Sequence, residues 1–260
     1  MPPIPHGSFP DRKGQDMTVS ANSLSTCRSL AGLTPAASEA IAEHAREVEF
    51  RPGDRLIPLG QPPQRLLILT EGLAKLVGVS ISGHERILCI YRPSDMVGPS
   101  VLMDSVENEH EVAAMSHVRA LAISRRDLLI IGRSHPSLIM ALAREVSRQL
   151  MAMTERVMTA TSAEVPVRLS QLLLEFVGNG HGGEIESFVP LSHPLTHESM
   201  AQIIGASRPH TSTVLRDLEG RGAVKRRSGR GLLVSPSRLR HIVEFGDSDL
   251  PATGSMQLSA

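Results

Sequence analysis

Between Glu47 and Ile123 the apolar residues come in short runs, "LLIL", "LVGV" and "ILCIY", separated by turn-forming clusters. These clusters are Arg51-Pro52-Gly53-Asp54, Gly60-Gln61-Pro62-Pro63, Glu71-Gly72, Ser82-Gly83 and Pro93-Ser94-Asp95, spaced 7 to 12 residues apart. Glycine and proline supply the backbone angles that end a strand. The texture therefore predicts antiparallel strands forming a barrel or sandwich. At Pro136 the period changes. A proline behind Ser134-His135 is well placed to open a helix, since its missing N–H falls where no helical bond is made. Apolar positions follow at Ile139, Leu142, Val146, Leu150, Met153, Val157 and Ala160, in steps of three and four. Near-heptad spacing of this kind makes one narrow stripe along about six turns. So narrow a stripe on so long a helix predicts pairing with a second copy, the dimer seam running from Ile139 to Val157. Met140, Met151 and Met158 beside the stripe read as adaptable packing.

Beyond Pro166 another helix is predicted, with Leu169, Leu172, Leu173 and Phe176 on one face, stopping at Gly178-Asn179-Gly180. After a strand-and-loop segment, "HGGEIESFVPLSHP", comes "LTHESMAQIIGASRPHTSTVLRDLEGRG", Leu195 to Gly222. It reads as two short helices. Thr196 caps the first, whose apolar face is Met200, Ile203 and Ile204, and Gly205 ends it. Ser207 caps the second, with Pro209 in its first turn. On a helical wheel Thr211, Val214, Leu215 and Leu218 share one side. Pro209, Ser212, Thr213 and Arg216 share the other, flanked by Arg208 and His210. The core face thus begins one turn late, leaving cations, hydroxyls and unpaired N–H groups to face outward. Such a turn suits a phosphate backbone and groove edges. This is a helix-turn-helix with its reading helix exposed. The hairpin "VKRRSGRGLLV", turning at Ser228-Gly229-Arg230-Gly231, reads as a wing that places Arg226, Arg227 and Arg230 near a phosphate strand.

Composition sharpens this picture. A chain of 260 residues suggests about two domains. Aromatic residues are scarce, with no Trp, one Tyr and five Phe, so the cores must be aliphatic. Two cysteines, Cys27 and Cys89, make neither a disulfide framework nor a four-thiolate metal site, which suits a reducing cytoplasm. No apolar run approaches the roughly 18 residues of a membrane span. The start of the chain lacks the apolar core of a signal peptide. Both ends, 1–24 and 243–260, are Pro/Gly-rich or polar and read as disordered tails. The formal net charge is zero. From Leu195 to Arg240, however, nine Lys and Arg face three Asp and Glu, a local surplus of six positive charges. A basic segment on a neutral chain is the footprint of a polyanion partner.

The helix-turn-helix and wing resemble those of the CRP/FNR family of bacterial transcription regulators. Upstream, "FRPGDRLIPLGQPPQRLLILTEGLAKL" and "YRPSDMVG" resemble that family's cyclic-nucleotide-binding-type barrel, and the long helix falls where the family dimerises. The resemblance covers roughly residues 45 to 240. It implies an α+β chain with an N-terminal antiparallel β-barrel of jelly-roll type (25–135), a dimerisation helix (136–163) and a C-terminal winged helix-turn-helix (164–242). It further implies a homodimer that binds a roughly palindromic operator, works with RNA polymerase, and is not an enzyme. Nor is there a Ser/His/Asp set, phosphate loop or acid pair in a motif context.

Certain residues depart from the family pattern. In nucleotide-binding members a Gly-Glu pair and a later Arg-Ser pair hold ribose and phosphate. The first aligns with Gly98-Pro99, ahead of Ser100, and the second with Asn108-Glu109. From Met96 to Val118 there is no Lys or Arg, against Asp104, Glu107, Glu109 and Glu111. Lost charge-assisted contacts of about 1.5–3 kcal/mol each argue for a degenerate effector pocket that does not take cyclic AMP. Cys27 alone cannot replace the cysteine cluster of the iron–sulfur branch. No cofactor is expected. His110, His117 or Cys89 leave a haem-binding or small-molecule sensor, acting mainly through protein contacts, as the alternative reading. His193 and His197 straddle Pro194 and do not share a helix face, which argues against a metal pair.

Overall fold

A computed structural model of the chain describes Leu24 and residues 27–80, 83, 85–103, 107–177, 188–227 and 231–246. The wing tip Ser228-Gly229-Arg230, the stop at Gly178-Asn179-Gly180 and nearly all of both expected tails lie outside these residues. Two compact units divide within one long helix, the first running to Ala152 and the second beginning at Met153, with Glu85–Ile87 grouped with the second.

The first unit opens with a single turn at Arg28–Leu30 and helix α1 (Pro35–His44), capped by Thr34, whose side chain accepts from the Ala37 N–H. Eight strands follow: β1 (Arg46–Phe50), β2 (Arg55–Ile57), β3 (Arg65–Glu71), β4 (Ala74–Val79), β5 (Glu85–Tyr91), β6 (Met96–Val97), β7 (Glu111–Ala114) and β8 (Val118–Ser124). They form two four-stranded sheets, ordered β1-β8-β3-β6 and β2-β7-β4-β5, as the expected jelly-roll type of barrel requires. The run "LLIL" shows why alternation is muted here. Leu67 and Leu69 enter the cluster between the sheets, with Leu56, Val112, Ala114 and Ala120. Leu66 and Ile68 point the other way, into a second cluster with Ile41, Leu128, Ile131 and Leu138 from the helices. A strand covered on both faces has no polar side to show.

Helix α2 (Arg125–Ser134), capped by Ser124, leads to α3 (Pro136–Ser162). The first turns of α3 belong to the barrel core. Leu138, Ala141 and Leu142 are at most 2% exposed. Leu142, expected in the seam, instead packs in the cluster with Leu128 and Leu138. Periodicity alone merges two faces here, because a core stripe and a solvent stripe overlap in the same turns. The remaining seam residues Ile139, Val146, Leu150, Met153 and Val157 are 37–65% exposed. Met140, Met151 and Met158 are exposed as well.

The second unit contains α4 (Val165–Glu175), β9 (Val189–Pro190), α5 (His197–Ile204), α6 (Arg208–Gly220), β10 (Val224–Arg226), β11 (Leu232–Val234) and α7 (Pro236–Phe245). The three strands form an antiparallel sheet in the order β10-β11-β9. Its core is aliphatic, apart from Phe176, and includes Leu169, Leu173, Met200, Leu215, Leu218 and Leu239. Helix α7 runs to Phe245, into the stretch expected to be tail.

Candidate nucleic-acid interface and effector pocket

The helix-turn-helix is built by local chemistry. The Thr196 side chain accepts from the Ser199 N–H at 3.0 Å, starting α5. Gly205 ends it with φ +67°, a left-handed conformation that favours glycine. Two residues later the Ser207 hydroxyl accepts from the His210 N–H at 3.3 Å and starts α6, with Pro209 in the first turn. Thr211, Val214, Leu215 and Leu218 are buried. The Thr211 hydroxyl donates to the Ser207 carbonyl at 3.0 Å, which lets a polar residue sit in the core.

Ser207, Arg208, Pro209, His210, Thr213 and Arg216 are exposed, so the first turn of α6 and one flank stand in solvent. Ser212 is placed differently from expectation. It is half-buried, and its Oγ lies 2.8 Å from His197 Nδ1. Thr213 is held to its own helix, donating to the Pro209 carbonyl at 3.2 Å. On the wing Arg226 and Arg227 are exposed, while Arg230 lies outside the described residues. The Arg227 N–H donates to the Gly231 carbonyl at 3.0 Å, closing the hairpin. Arg226 Nε lies 3.2 Å from Glu219 Oε2, and Arg221 Nε 2.9 Å from Asp217 Oδ2. Lys225 Nζ sits 4.0 Å from the Phe188 ring centre, a cation–π contact.

In the barrel, Gly98 has φ +77° and starts a short helical turn, Pro99–Leu102. A side chain at Gly98 would be strained by this positive φ, and its Cβ would have to displace Ile57 Cδ1, 2.6 Å away. Pro99 offers neither a carboxylate nor an N–H. The Ser100 hydroxyl donates to Asn108 Oδ1 at 3.2 Å, and Asn108 Nδ2 donates to the Gln61 carbonyl at 2.9 Å. The backbone of Asn108 is paired with Gly60 and Gln61 as well. Its amide therefore staples two loops together. Glu109 is exposed, and residues 104–106 are outside those described.

One expectation needs correction. The stretch Met96–Val118 lacks cations in sequence but not in space. Arg55, from the neighbouring strand β2, lies 2.6 Å from Glu111, and Arg125 Nε donates to the Val101 carbonyl at 2.9 Å. Sheet pairing brings them there, which no local reading detects. The haem candidates lie apart in role. His117 faces Glu49 at 3.7 Å, and Cys89 packs against the core between the sheets. Among the described residues no group of three or more His, Cys, Asp or Glu could hold a metal ion. No helix among them is long and apolar enough to cross a membrane.

Comparison with known proteins agrees with this geometry. Residues 47–135 match the family model for the cyclic nucleotide-binding domain, and residues 167–242 that for the Crp-like helix-turn-helix domain. A CRP-like cAMP-activated global transcriptional regulator of Mycobacterium tuberculosis is 29% identical over 209 residues, 79% of this chain and 91% of that protein. The cyclic AMP receptor protein of Thermus thermophilus is 28% identical over 200 residues, 74% of this chain and 88% of that one. Among solved structures, a CRP/FNR-family transcriptional regulator from Thermus thermophilus shares the fold with TM-score 0.64 at 23% identity, covering 78% of this chain and 100% of that one. A c-di-GMP responsive global regulator of Xanthomonas campestris superposes with TM-score 0.66 at 16% identity, over 77% and 99% of the two chains. With a nucleotide-binding-type barrel ahead of an exposed, capped reading helix and wing, and with relatives of this kind across most of its length, the chain belongs to the CRP/FNR family of DNA-binding transcription regulators, which are not enzymes.

Proposed function

We propose that the protein acts as a homodimer on a two-fold-symmetric operator, and that its barrel does not respond to cyclic AMP. The observation that carries the DNA reading is the exposed first turn of α6, Ser207 to His210, standing on a buried base of Thr211, Val214 and Leu215. Arg208 reads a base edge there. Arg216 and the wing cations Arg226, Arg227 and Arg230 bind phosphate. The dimer reading rests on the exposed apolar stripe of α3, since a run of such residues in solvent is costly unless covered. A second copy covering it supplies the second reading helix that a symmetric operator needs. Regulation then runs through RNA polymerase at the promoter.

The effector reading rests on Pro99 and Asn108. A ribose hydroxyl facing Pro99 meets no acceptor side chain. A cyclic phosphate facing Asn108 meets a neutral amide, held by Ser100 and Gln61, where nucleotide-binding members of the family offer a cation. Arg55, the cation brought to this side, is engaged by Glu111. The decisive experiment is a binding assay on a duplex selected from random sequence, repeated at rising salt without added nucleotide. The expected result is tight, sequence-selective binding whose logarithm falls linearly with log salt. Binding that needs cyclic AMP, or that ignores salt, overturns the proposal.

A further inference from the structure

A cleft between the Arg28–Leu30 turn and the middle of α3 carries charges that neither the DNA interface nor the nucleotide-type pocket uses. Its volume is about 90 Å³, and Arg28, Ser29, Arg144, Glu145 and Arg148 line it. That space admits a few waters or one tetrahedral oxyanion.

The acids at this place are already occupied. Glu145 is 4% exposed and accepts from Arg148 Nε at 2.8 Å, Arg148 Nη2 at 2.6 Å and Gln149 Nε2 at 2.8 Å. Asp95 is 6% exposed and accepts from Arg28 Nη2 at 2.8 Å, Arg148 Nη2 at 3.0 Å and the Arg92 N–H at 2.8 Å. Every carboxylate oxygen has a donor, so the pair is no open cation site.

The donors, by contrast, are in excess. Three guanidinium groups face two carboxylates, a surplus of one positive charge. Arg144 makes no ion pair among the described residues. Its Nε donates to the Met140 carbonyl at 3.2 Å, and its Nη1 and Nη2 lie against Gly32, 3.0 and 2.8 Å from where a Cβ would stand. Arg144 thus lies directly over the turn, in the space a side chain at position 32 would enter. Ser29 lines the cleft, and its hydroxyl is buried with no hydrogen-bond partner among the described residues, a costly condition.

We propose that this cleft binds a phosphate group, free or carried on a small metabolite. Planar guanidinium forks match the edges of a tetrahedral oxyanion, and a hydroxyl supplies a further donor from another direction. An occupant held by Arg28 and Ser29 on one side and Arg144 on the other ties the segment before α1 to α3. The site lies on other residues than Gly98, Ser100 and Asn108, and it stands whether or not the barrel takes a nucleotide.

The test is calorimetric titration of the full chain with inorganic phosphate, and separately with glycerol phosphate, at constant ionic strength. Saturable binding of one phosphate per chain in the millimolar range or tighter is expected. Arg144→Gln, at an exposed position, should weaken it about tenfold, the effect of one lost charge-assisted contact, with the thermal midpoint of the unliganded protein unchanged. Ser29→Ala should weaken it several-fold without lowering the thermal midpoint of the unliganded protein. Arg208→Ala, in the reading helix, should leave it unchanged. Tighter binding of the ester assigns a metabolite, and equal or weaker binding assigns the free anion. A flat isotherm, full affinity in Arg144→Gln, loss confined to Arg208→Ala, or equal competition by chloride overturns the proposal.

Discussion

His197 Nδ1 lies 2.8 Å from Ser212 Oγ, so the first residue of α5 is tied to the second turn of α6. This contact holds the two helices of the DNA-binding element at a fixed crossing, and it removes Ser212 from the outward set. Ser212→Ala should therefore cost the C-terminal unit about 1 kcal/mol in denaturant unfolding, the worth of one neutral hydrogen bond. Its selected DNA motif should match that of the unaltered protein. A changed motif would return Ser212 to base reading.

Arg208 and Arg216 should separate cleanly. Arg208 stands in the exposed first turn of α6, where a bidentate contact to guanine is worth roughly 1–3 kcal/mol of discrimination. Arg208→Ala is expected to flatten the preference at one base pair of each half-site. Arg216→Ala is expected to weaken all sequences alike and to make the salt slope shallower by about one. Pro209 offers no acceptor and Thr213 is short and bonded to the Pro209 carbonyl, so preference at their pairs should be relaxed or apolar. Random-sequence selection with each variant checks all of this.

Cyclic AMP and cyclic GMP should give no heat of binding at micromolar concentration and no change in operator affinity. Pro99 and the uncharged, loop-bound amide of Asn108 carry this expectation. A saturable isotherm with either nucleotide, accompanied by a change in operator affinity, would overturn it.

Leu142 and Val146 should behave in opposite ways. Val146→Asp with Met153→Asp places carboxylates on the exposed stripe, so the chain should stay folded and run as a monomer in light scattering. Leu142→Ala, in the barrel core at 2% exposure, should instead cost about 2–5 kcal/mol of stability. Its dimer should persist wherever the chain remains folded. A dimer that survives the double Asp change would move the seam to another face.

The reading helix is legible in the sequence because its determinants are local: two caps, a glycine of positive φ, and a wheel whose apolar side starts after Ser207-Arg208-Pro209-His210. The barrel's strands follow from turn chemistry. Which cluster each side chain of "LLIL" enters does not, because the run is buried on both faces and shows no alternation. Leu142 falls on the wrong face of α3 when spacing alone is used, since periodicity does not say which neighbour claims a stripe. Arg55 at Glu111 is hidden for a third reason: cross-strand neighbours far apart in sequence leave no local pattern.

The ion pair between Arg226 and Glu219 has an electrical side as well. A cation whose charge is already balanced by a carboxylate displaces fewer of the cations condensed on the duplex, and the carboxylate it abandons on meeting a phosphate is left facing the duplex. Arg221 with Asp217 is a second such couple. The nine cations between Leu195 and Arg240 therefore overstate the charge the protein spends on DNA. The wing acts as a partly compensated dipole, whose grip loosens with salt more gently than its arginines suggest and whose contribution to telling operators apart from bulk DNA rises accordingly.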